Sequence, residues 1–343
     1  MPELILDLPA IQAAARKLEQ GDLVAFPTET VYGLGADAEN PQAVAKIYAA
    51  KGRPSNHPVI VHLAPGADVS YWAEDIPPQA RKLIDAFWPG PLTLILKRAA
   101  HIPDAVSGGQ DSIGLRCPSH PVAQALLQTF KAGKGGVAAP SANKFGHVSP
   151  TTAQHVRDEF GTGPGSMVGC ILDGGQSEVG IESTILDLSR MATHGPVLLR
   201  PGHIGAARIA AVIGIEPHMP DAAAPRASGT LDAHYAPSTP VALVSTAELG
   251  KTLARLSSRG RRFALISRVG GGSPSAVVQL GLPAEPAGYA HDLYAALRTM
   301  DAAKADIIVV EAPPADDVQW QGVNDRLRRA AHDSQGVLDR LLA

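Results

Sequence analysis

Cations and hydroxyl groups cluster in a few short stretches of this sequence, and they are the residue types that bind phosphate and carboxylate groups. The stretch PTETVYGLGADA (27–38) carries the hydroxyls, and KGRP (51–54) follows it with two cations. Further along, GLRC (114–117) and LLRPG (198–202) each place an arginine at the end of an apolar run. A charge at the end of a buried strand needs a partner. The pattern therefore predicts a site where distant cations meet an anionic ligand.

Acidic residues are absent from three segments of the chain, although 33 of its 343 residues are Asp or Glu. These segments are 40–67, 112–157 and 188–215, and each contains several basic residues. The formal net charge of −3 argues against a surface devoted to polyanions. If a sheet brings the segments together, they form a local basic site suited to a small phosphorylated ligand. For any single lysine, a solvated helix face is the alternative explanation.

The common nucleotide-binding motifs match this sequence poorly. No Walker A loop is present, so the usual phosphate cradle is excluded. GLGADA (33–38) is a degenerate dinucleotide pattern, but Arg53 stands where an acidic residue would bind the ribose. We therefore interpret Gly33 and Gly35 as permitting a sharp turn and a close approach of the backbone to a ligand.

The cysteines and the N-terminal segment indicate the cellular compartment in which we expect the protein. Cys117 and Cys170 are far apart and lack metal-ligand spacing, so neither a disulfide framework nor a zinc site is expected. The first 22 residues do not read as a signal peptide, and no apolar run approaches ~20 residues. His57 and His62 lack a third ligand, so we predict no protein metal site. We expect a soluble, cytoplasmic protein with no membrane contact.

Apolar β runs alternate with amphipathic segments along the chain, which is typical of an α/β fold, and a mixed sheet is one form that such a fold can take. Prolines mark the predicted helix starts at 41, at 77–78 and at 150, where Ser149 would be the N-cap. Near residue 214 the composition becomes rich in Pro and Ala. We predict a linker here, followed by a smaller α/β unit. The predicted divisions are 1–214, 215–238 and 239–343.

Eight sequence blocks in the first domain resemble those of the YrdC/Sua5 family. They are PTETVYGLGADA (27–38), KGRP (51–54), HPVIVHL (57–63), WPGPLTLIL (88–96), GLRCPSHPVA (114–123), APSANKFGHVSPT (139–151), GIESTILDL (180–188) and LLRPG (198–202). HYAP (234–237) and the unit after it are similar to the longer Sua5 form. The resemblance implies a twisted mixed sheet with flanking helices, plus a smaller Rossmann-like α/β domain.

The resemblance also implies an activity, threonylcarbamoyl-AMP synthesis. Enzymes of this family join L-threonine, bicarbonate and ATP into threonylcarbamoyl-AMP and pyrophosphate, for t6A37 modification of tRNA. Mg²⁺ would share the charge of the triphosphate. A transient contact with the machinery that transfers the threonylcarbamoyl group is implied, and contact with tRNA is possible. Such a nucleotidyl transfer depends on positioning and charge neutralisation, and it needs no covalent protein nucleophile.

The family's site residues carry over onto matching positions of this sequence. The Lys-x-Arg and Ser-x-Asn motifs would supply the catalytic residues, which are Lys51, Arg53, Ser141 and Asn143. The threonine-binding set is Thr30, Tyr32, His62, Arg116, Ala139 and Ser183. The ATP-binding set is Arg53, His57, Ser112, Ser141, Ser149, Arg200 and, from the linker, Tyr235. For single hydroxyls a strand or helix-cap role is the alternative.

Two other functions remain open from the sequence. The basic site could bind RNA without chemistry, as in an accessory factor, although aromatic residues make up only 4% of the chain. A carbamoyl-adenylating enzyme that uses carbamoyl phosphate is the other alternative, but no acylphosphatase-like or zinc-finger-like segment accompanies this domain. Asp232 lies where the family often has a basic residue, so closure of the linker over ATP is an open point. We expect the second domain to position that linker or a partner.

Overall fold

A computed structural model of the protein describes residues 6–163, 165–268, 272–334 and 336–343. The chain divides into two compact units, of which the first is 1–145 with 150–230 and the second is 146–149 with 231–343. The main division lies between Thr230 and Leu231, inside the predicted linker. The boundaries proposed from the sequence stay predictions.

The first unit is built on one large sheet, in which parallel and antiparallel pairs are mixed. Its described strands are β1 (Leu23–Phe26), β2 (Gly33–Asp37), β3 (Ile60–Leu63), β4 (Ala73–Glu74), β5 (Leu92–Arg98), β6 (Ser112–Arg116), β7 (Gly136–Ala138), β8 (Val168–Ile171), β9 (Thr184–Asp187) and β10 (Val197–Arg200). Their order is β10-β9-β5-β6-β3-β7-β2-β1-β8, and β4 pairs with β5. β3 and β6 are parallel, whereas β5 and β6 are antiparallel. The predicted mixed α/β fold is confirmed.

Helices flank this sheet, and two of them begin at Pro41 and Pro78, prolines that the sequence indicates. The α-helices described in the first unit are α1 (Leu8–Glu19), α2 (Pro41–Lys51), α3 (Val69–Trp72), α4 (Pro78–Phe87), α5 (Pro121–Thr129), α6 (Ala153–Phe160), α7 (Met191–His194) and α8 (Ala206–Ile213). Short 3-10 helices lie at Asp104–Val106 and Phe130–Gly133. α2 begins after Asn40, whose side chain accepts hydrogen bonds from the amides of Gln42 and Ala43. It ends at Gly52, whose left-handed conformation (φ 65°) turns the chain directly into Arg53.

The prediction that Ser149 caps the helix after it is wrong. α6 begins at Ala153, and the Thr152 hydroxyl accepts a hydrogen bond from the His155 amide. The reason lies at Pro150, whose carbonyl accepts a hydrogen bond of 2.9 Å from the Tyr32 amide. Because this carbonyl is bonded to the Tyr32 amide, it does not accept the first hydrogen bond of a helix, and α6 begins three residues later.

The interpretation of Gly33 and Gly35 is also corrected. Both lie inside strand β2, which pairs antiparallel with β1, so this is not the strand-turn-helix unit of a dinucleotide site. A Cβ on Gly35 would lie 2.8 Å from Val137 Cγ1 and 2.9 Å from Phe26 Cε1. These glycines therefore allow close packing beside the sheet and do not form a turn.

The second unit has a four-stranded, fully parallel sheet of order β11-β14-β12-β13. Its strands are β11 (Val241–Val244), β12 (Phe263–Ser267), β13 (Val278–Gly281) and β14 (Ile307–Glu311). Its described α-helices are α9 (Thr246–Ser258), α10 (Pro286–Ala302), α11 (Gln321–Ala330) and α12 (Val337–Leu342), with 3-10 turns at Val318–Trp320 and His332–Ser334. The predicted smaller α/β domain is confirmed.

One segment from elsewhere in the sequence, residues 146–149, belongs to this second unit. The Gly146 carbonyl accepts a hydrogen bond of 2.9 Å from the Ala236 amide, and Arg298 of α10 donates to the Val148 carbonyl. At the start of the continuous part of the unit, Arg329 of α11 donates to the Leu231 carbonyl. The second unit thus holds the segment that follows the Ser-x-Asn motif.

Within the described ranges, no helix is long and apolar enough to cross a bilayer.

Candidate active site

Lys51, at the end of α2, holds the Ser-x-Asn loop through its main chain. Its ammonium donates to the carbonyls of Ser141 (2.5 Å) and Asn143 (2.6 Å), and its own carbonyl accepts from the Phe145 amide. Lys51 is buried, and this burial, followed by the nearby charge of Arg53, lowers the pKa of its amine well below the usual value. The two motifs that the sequence singled out therefore form one structural group.

Arg53 and Arg200 meet at one residue of the linker, Ser228. Both Nη atoms of Arg53 lie 3.3 Å from the Ser228 hydroxyl, and Arg200 Nη1 donates to the Ser228 carbonyl at 2.8 Å. The two arginines are 7% and 3% exposed, so their charges are placed before any ligand arrives. Two guanidinium groups on one small residue are suited to a phosphate chain.

Ser183 connects Arg200 to the strands of the central sheet. Arg200 Nε donates to the Ser183 carbonyl at 3.0 Å, and Nη2 lies 3.2 Å from the Ser183 hydroxyl. That hydroxyl lies 2.8 Å from the Thr93 hydroxyl of β5. The Ser183 hydroxyl thus links Arg200 to Thr93 of β5, the strand that pairs with β6 and its Arg116.

Arg116 and His62 are direct neighbours on the parallel strands β6 and β3. Burial, and then the charge of Arg116, lowers the pKa of His62 to about 3, so its ring is neutral near pH 7. Arg116 Nε donates to the Gly90 carbonyl at 3.3 Å, and Nη2 lies 2.7 Å from Glu29 Oε1. The angle at this last contact falls outside hydrogen-bond geometry, so it is an ion pair.

The hydroxyl-rich turn of 28–32 is ordered by its own hydrogen bonds. The Thr28 and Thr30 hydroxyls lie 2.9 Å apart, and Thr28 also donates to the Val31 carbonyl. The Tyr32 hydroxyl donates to the Gly175 carbonyl at 2.8 Å, and burial raises its pKa. Ala139 lies beside this turn's strand, since a Cβ on Gly33 would be 3.2 Å from its methyl group.

Four predicted residues stand apart from this connected group. His57 packs its ring 5.6 Å from that of Phe145, and burial followed by the charge of Arg53 lowers its pKa. Ser112 begins β6, at the opposite end from Arg116, and no side-chain bond joins it to the rest of the set within the described chain. Ser149 and Tyr235 belong to the second unit. There the Ser149 carbonyl is 3.5 Å from Arg298 Nε, and the Tyr235 ring lies 5.8 Å from that of Tyr294.

Glu29, Thr93 and Ser228 are site residues that the sequence reasoning missed. Glu29 was hidden as the one acid in a hydroxyl-rich stretch, where its pairing with Arg116 depends on the fold. Thr93 looked like an ordinary strand residue. Ser228 lies in the predicted linker, and no local sequence pattern indicates that it contacts both Arg53 and Arg200.

The residues present do not build a protein cage for Mg²⁺. In the described part of the chain, no group of three or more His, Cys, Asp or Glu side chains could hold a metal ion. Mg²⁺ often binds through substrate phosphates and water, with few protein ligands. A Mg²⁺ ion held by the phosphates of a nucleotide would not need such a group of protein ligands.

Fold and site together define an α/β protein whose first unit, built on a mixed sheet, buries the four cations Lys51, Arg53, Arg116 and Arg200. Comparison with known proteins narrows this class. A family model for Sua5, YciO and YrdC, described as "Telomere recombination", matches residues 16–202. A second model, described as "Threonylcarbamoyl-AMP synthase, C-terminal domain", matches residues 204–332. The chain belongs to the Sua5/YciO/YrdC family.

Several relatives share nearly the whole chain. A Pyrococcus abyssi protein named threonylcarbamoyl-AMP synthase is 38% identical over 338 residues, which is 94% of this chain and 94% of that protein. A Bacillus subtilis protein of the same name is 40% identical, covering 96% of this chain and 95% of its own length. A crystal structure of P. abyssi Sua5 complexed with L-threonine has a TM-score of 0.86 at 35% identity, covering 96% of each chain.

Proposed function

We propose that this protein is a nucleotidyltransferase that forms threonylcarbamoyl-AMP and pyrophosphate from L-threonine, bicarbonate and ATP. The observation that carries the proposal is the meeting of two buried arginines, Arg53 and Arg200, at Ser228, in the same unit as a third buried arginine, Arg116. The guanidinium groups of Arg53 and Arg200 both contact Ser228, and such a pair could bind a phosphate group. Arg116, beside His62 on the neighbouring strand, could bind a carboxylate. The name and coverage of the relatives support this enzyme over the RNA-binding alternative.

The proposed threonine site lies around β3, β6 and the 28–32 turn. Arg116 would bind the carboxylate, while Thr30, Tyr32, Ser183 and His62 would surround the hydroxyl and methyl groups, and Ala139 would limit the space. The neutral ring of His62 adds no charge beside Arg116, so the guanidinium has no competing cation next to it. The relative crystallised with L-threonine supports an amino-acid ligand for this fold.

The proposed ATP site lies around Arg53 and Arg200. These arginines would bind phosphate oxygens, with Lys51, Ser141 and Asn143 as catalytic residues and His57, Ser112, Ser149 and Tyr235 as further contacts. Because Ser228 uses the same guanidinium groups, the phosphates must replace it or share the arginines with it. Lys51 would then act mainly by holding the 141–143 loop in place.

The proposed reaction needs positioning more than a reactive side chain. The ammonium group of threonine first loses a proton, and the neutral amine then adds to the bicarbonate carbon, which gives a carbamate and water. A carbamate oxygen then attacks the α-phosphorus of ATP, and the bond to the bridging oxygen of pyrophosphate breaks. Arg53 and Arg200 would neutralise charge on the departing pyrophosphate, while Arg116 holds the threonine carboxylate away from the phosphorus.

Pyrophosphate release from ATP tests the proposal. We expect release to require both L-threonine and bicarbonate, with threonylcarbamoyl-AMP detected by mass spectrometry. RNA binding without turnover would favour the accessory-factor alternative, and turnover with carbamoyl phosphate in place of bicarbonate would favour the other. A role in t6A37 synthesis, contact with the transfer machinery or tRNA, and a cytoplasmic location remain proposals that this assay does not address.

A further inference from the structure

A buried carboxylate lies behind the arginine proposed to bind threonine. Glu29 Oε1 is 2.7 Å from Arg116 Nη2, and both side chains are 4% exposed. These two atoms are sealed from solvent. Glu29 Oε1 therefore has no route to a substrate except through Arg116.

The fold fixes Glu29 at both ends. Its second oxygen, Oε2, accepts a hydrogen bond of 3.1 Å from the Ser119 amide, and its carbonyl accepts one of 2.7 Å from the Val179 amide. Arg116 is held in turn by Glu29 and by the Gly90 carbonyl. These contacts use Nη2 and Nε, and they leave Nη1 without a hydrogen bond to the described residues.

The hydrogen bond at Nε and the ion pair at Nη2 together limit the positions that the planar guanidinium can take. A guanidinium recognises a carboxylate through the direction of its N–H groups, so an arginine free to rotate loses much of its selectivity. A buried arginine without a counter-charge also moves toward water or other partners. Glu29 supplies the counter-charge, and together with the Gly90 carbonyl it limits where the guanidinium can lie.

We propose that Glu29 is a positioning residue that aims Arg116 at the carboxylate of the amino-acid substrate. This inference rests on the proposed function, because it assumes that Arg116 binds that carboxylate. Glu29 sets the discrimination between a ligand with a carboxylate and the same ligand without one, and it leaves the ATP site unaffected.

The test compares L-threonine with L-threoninamide, which lacks the carboxylate charge, by calorimetric titration of the full chain. The wild-type protein should bind L-threonine more tightly. Glu29→Gln removes the negative charge that pairs with Arg116. The new NH2 group is a donor, and it must face either the Arg116 guanidinium or the Ser119 amide, which are donors themselves. Arg116 therefore loses its ion pair. We expect affinity for L-threonine to fall about tenfold or more, the preference over L-threoninamide to shrink, and affinity for ATP to change less than about twofold.

Two further variants separate positioning from general damage. Asp187→Asn is the matched control, because Asp187 is 1% exposed, lies in the same unit and pairs with Arg190. It should leave the threonine preference intact. Glu29→Asp keeps the charge on a shorter side chain and should restore part of the preference, and it serves as the test if Glu29→Gln does not fold.

A double-mutant cycle with Arg116→Gln completes the test. If Glu29 acts through Arg116, adding Glu29→Gln to Arg116→Gln should cause little further loss of threonine affinity. An equal loss of ATP and threonine affinity, additive effects in the cycle, or an unchanged preference in both Glu29 variants would overturn the proposal. Failure of the proposed function looks different, since the wild-type protein would then not prefer L-threonine over L-threoninamide.

Discussion

At the scale of single residues, Arg200 shows why arginine and lysine are not equivalent in this site. Its guanidinium reaches the Ser183 carbonyl, the Ser183 hydroxyl and the Ser228 carbonyl at once. A lysine ammonium lacks the planar fork that makes this possible. We expect Arg200→Lys to raise the KM for ATP about tenfold, and to lower the free energy of unfolding by roughly 1–3 kcal/mol, because buried acceptors lose their donors.

Pyrophosphate release at varied ATP and a denaturant titration measure the two effects. Arg208→Lys is the control, since Arg208 is an exposed arginine of α8 that packs on Phe87. It should change neither value. An ATP KM within about twofold of wild type in Arg200→Lys would contradict the assigned role.

His62 should make the protein less stable in mild acid. Its folded pKa is about 3, below the ordinary value of 6.5, so below pH 6.5 the unfolded state binds a proton that the folded state refuses. The free energy of unfolding should therefore fall by roughly 1 kcal/mol per pH unit from about pH 6.5 toward pH 3. Urea titrations between pH 7 and 4 measure this slope.

Replacing the ring tests the assignment. His62→Gln should flatten this part of the pH profile, whereas His101→Gln, at an exposed histidine, should leave it steep. If the slope persists in His62→Gln, other groups are responsible for the loss of stability in acid.

The cations of the site were predictable from the sequence, and their partners were not. Arg53, Arg116 and Arg200 stand beside Pro, Gly or a strand end within acid-free segments, which is a local signal. The roles of Glu29 and Thr93 depend on strand register, which places residues far apart in sequence opposite each other. Local patterns contain no information of that kind.

At the scale of single elements, α6 depends on a cap that the sequence pattern assigned to the wrong residue. The Thr152 hydroxyl accepts from the His155 amide at 3.2 Å. Thr152→Ala should cost about 1 kcal/mol of unfolding free energy, because this amide loses its acceptor, whereas Thr152→Ser should retain most of it. Thermal or urea unfolding of the two variants gives the comparison, and equal losses in both would argue against a capping role.

The helix starts at Pro41 and Pro78 were predicted to within a residue, because proline at the first turn is itself the signal. Pro150 carries the same signal but starts no helix. The Tyr32 amide occupies its carbonyl, and this partner lies over a hundred residues away in the sequence. Long-range hydrogen bonds of this kind override local propensity.

The part of the linker before residue 230 is fastened to the first unit by Gln110. The Gln110 side chain accepts from the Arg226 amide at 2.8 Å and donates to the Arg226 carbonyl at 3.1 Å. Arg226 also donates to the Gly108 carbonyl. Gln110→Ala should therefore free this segment and speed hydrogen exchange at the Arg226 amide about tenfold or more, since two hydrogen bonds are lost.

Hydrogen exchange with mass spectrometry on peptides that span 224–228 provides the measurement. Gln128→Ala, at an exposed glutamine of α5, is the control and should leave this exchange unchanged. Unaltered exchange in Gln110→Ala would show that the other contacts of the segment hold it without Gln110.

At the scale of the whole molecule, the two units are not consecutive pieces of sequence. Residues 146–149 belong to the second unit, yet they directly follow the loop that carries Ser141 and Asn143. Arg298 holds the Val148 and Ser149 carbonyls, and Arg329 holds the Leu231 carbonyl. Burial would raise the pKa of Asp325, but Arg326, Arg329 and Arg328 lower it overall, so this carboxylate stays charged and orders α11.

A chain that ends at Ser238 tests what the second unit contributes. It keeps the complete sheet of the first unit but removes Arg298, Arg329 and Tyr294. We expect amides in 146–149 to exchange about tenfold faster or more, because Arg298, which holds the Val148 and Ser149 carbonyls, is lost and the segment opens more often. The KM for ATP should rise, since this segment continues the Ser-x-Asn loop and contains Ser149.

Arg298→Ala in the full chain should cause the same faster exchange of the amides in 146–149. Arg262→Ala, at an exposed arginine before β12, should not. Unchanged ATP turnover and substrate affinity in the shortened chain would show that the second unit does not position the site.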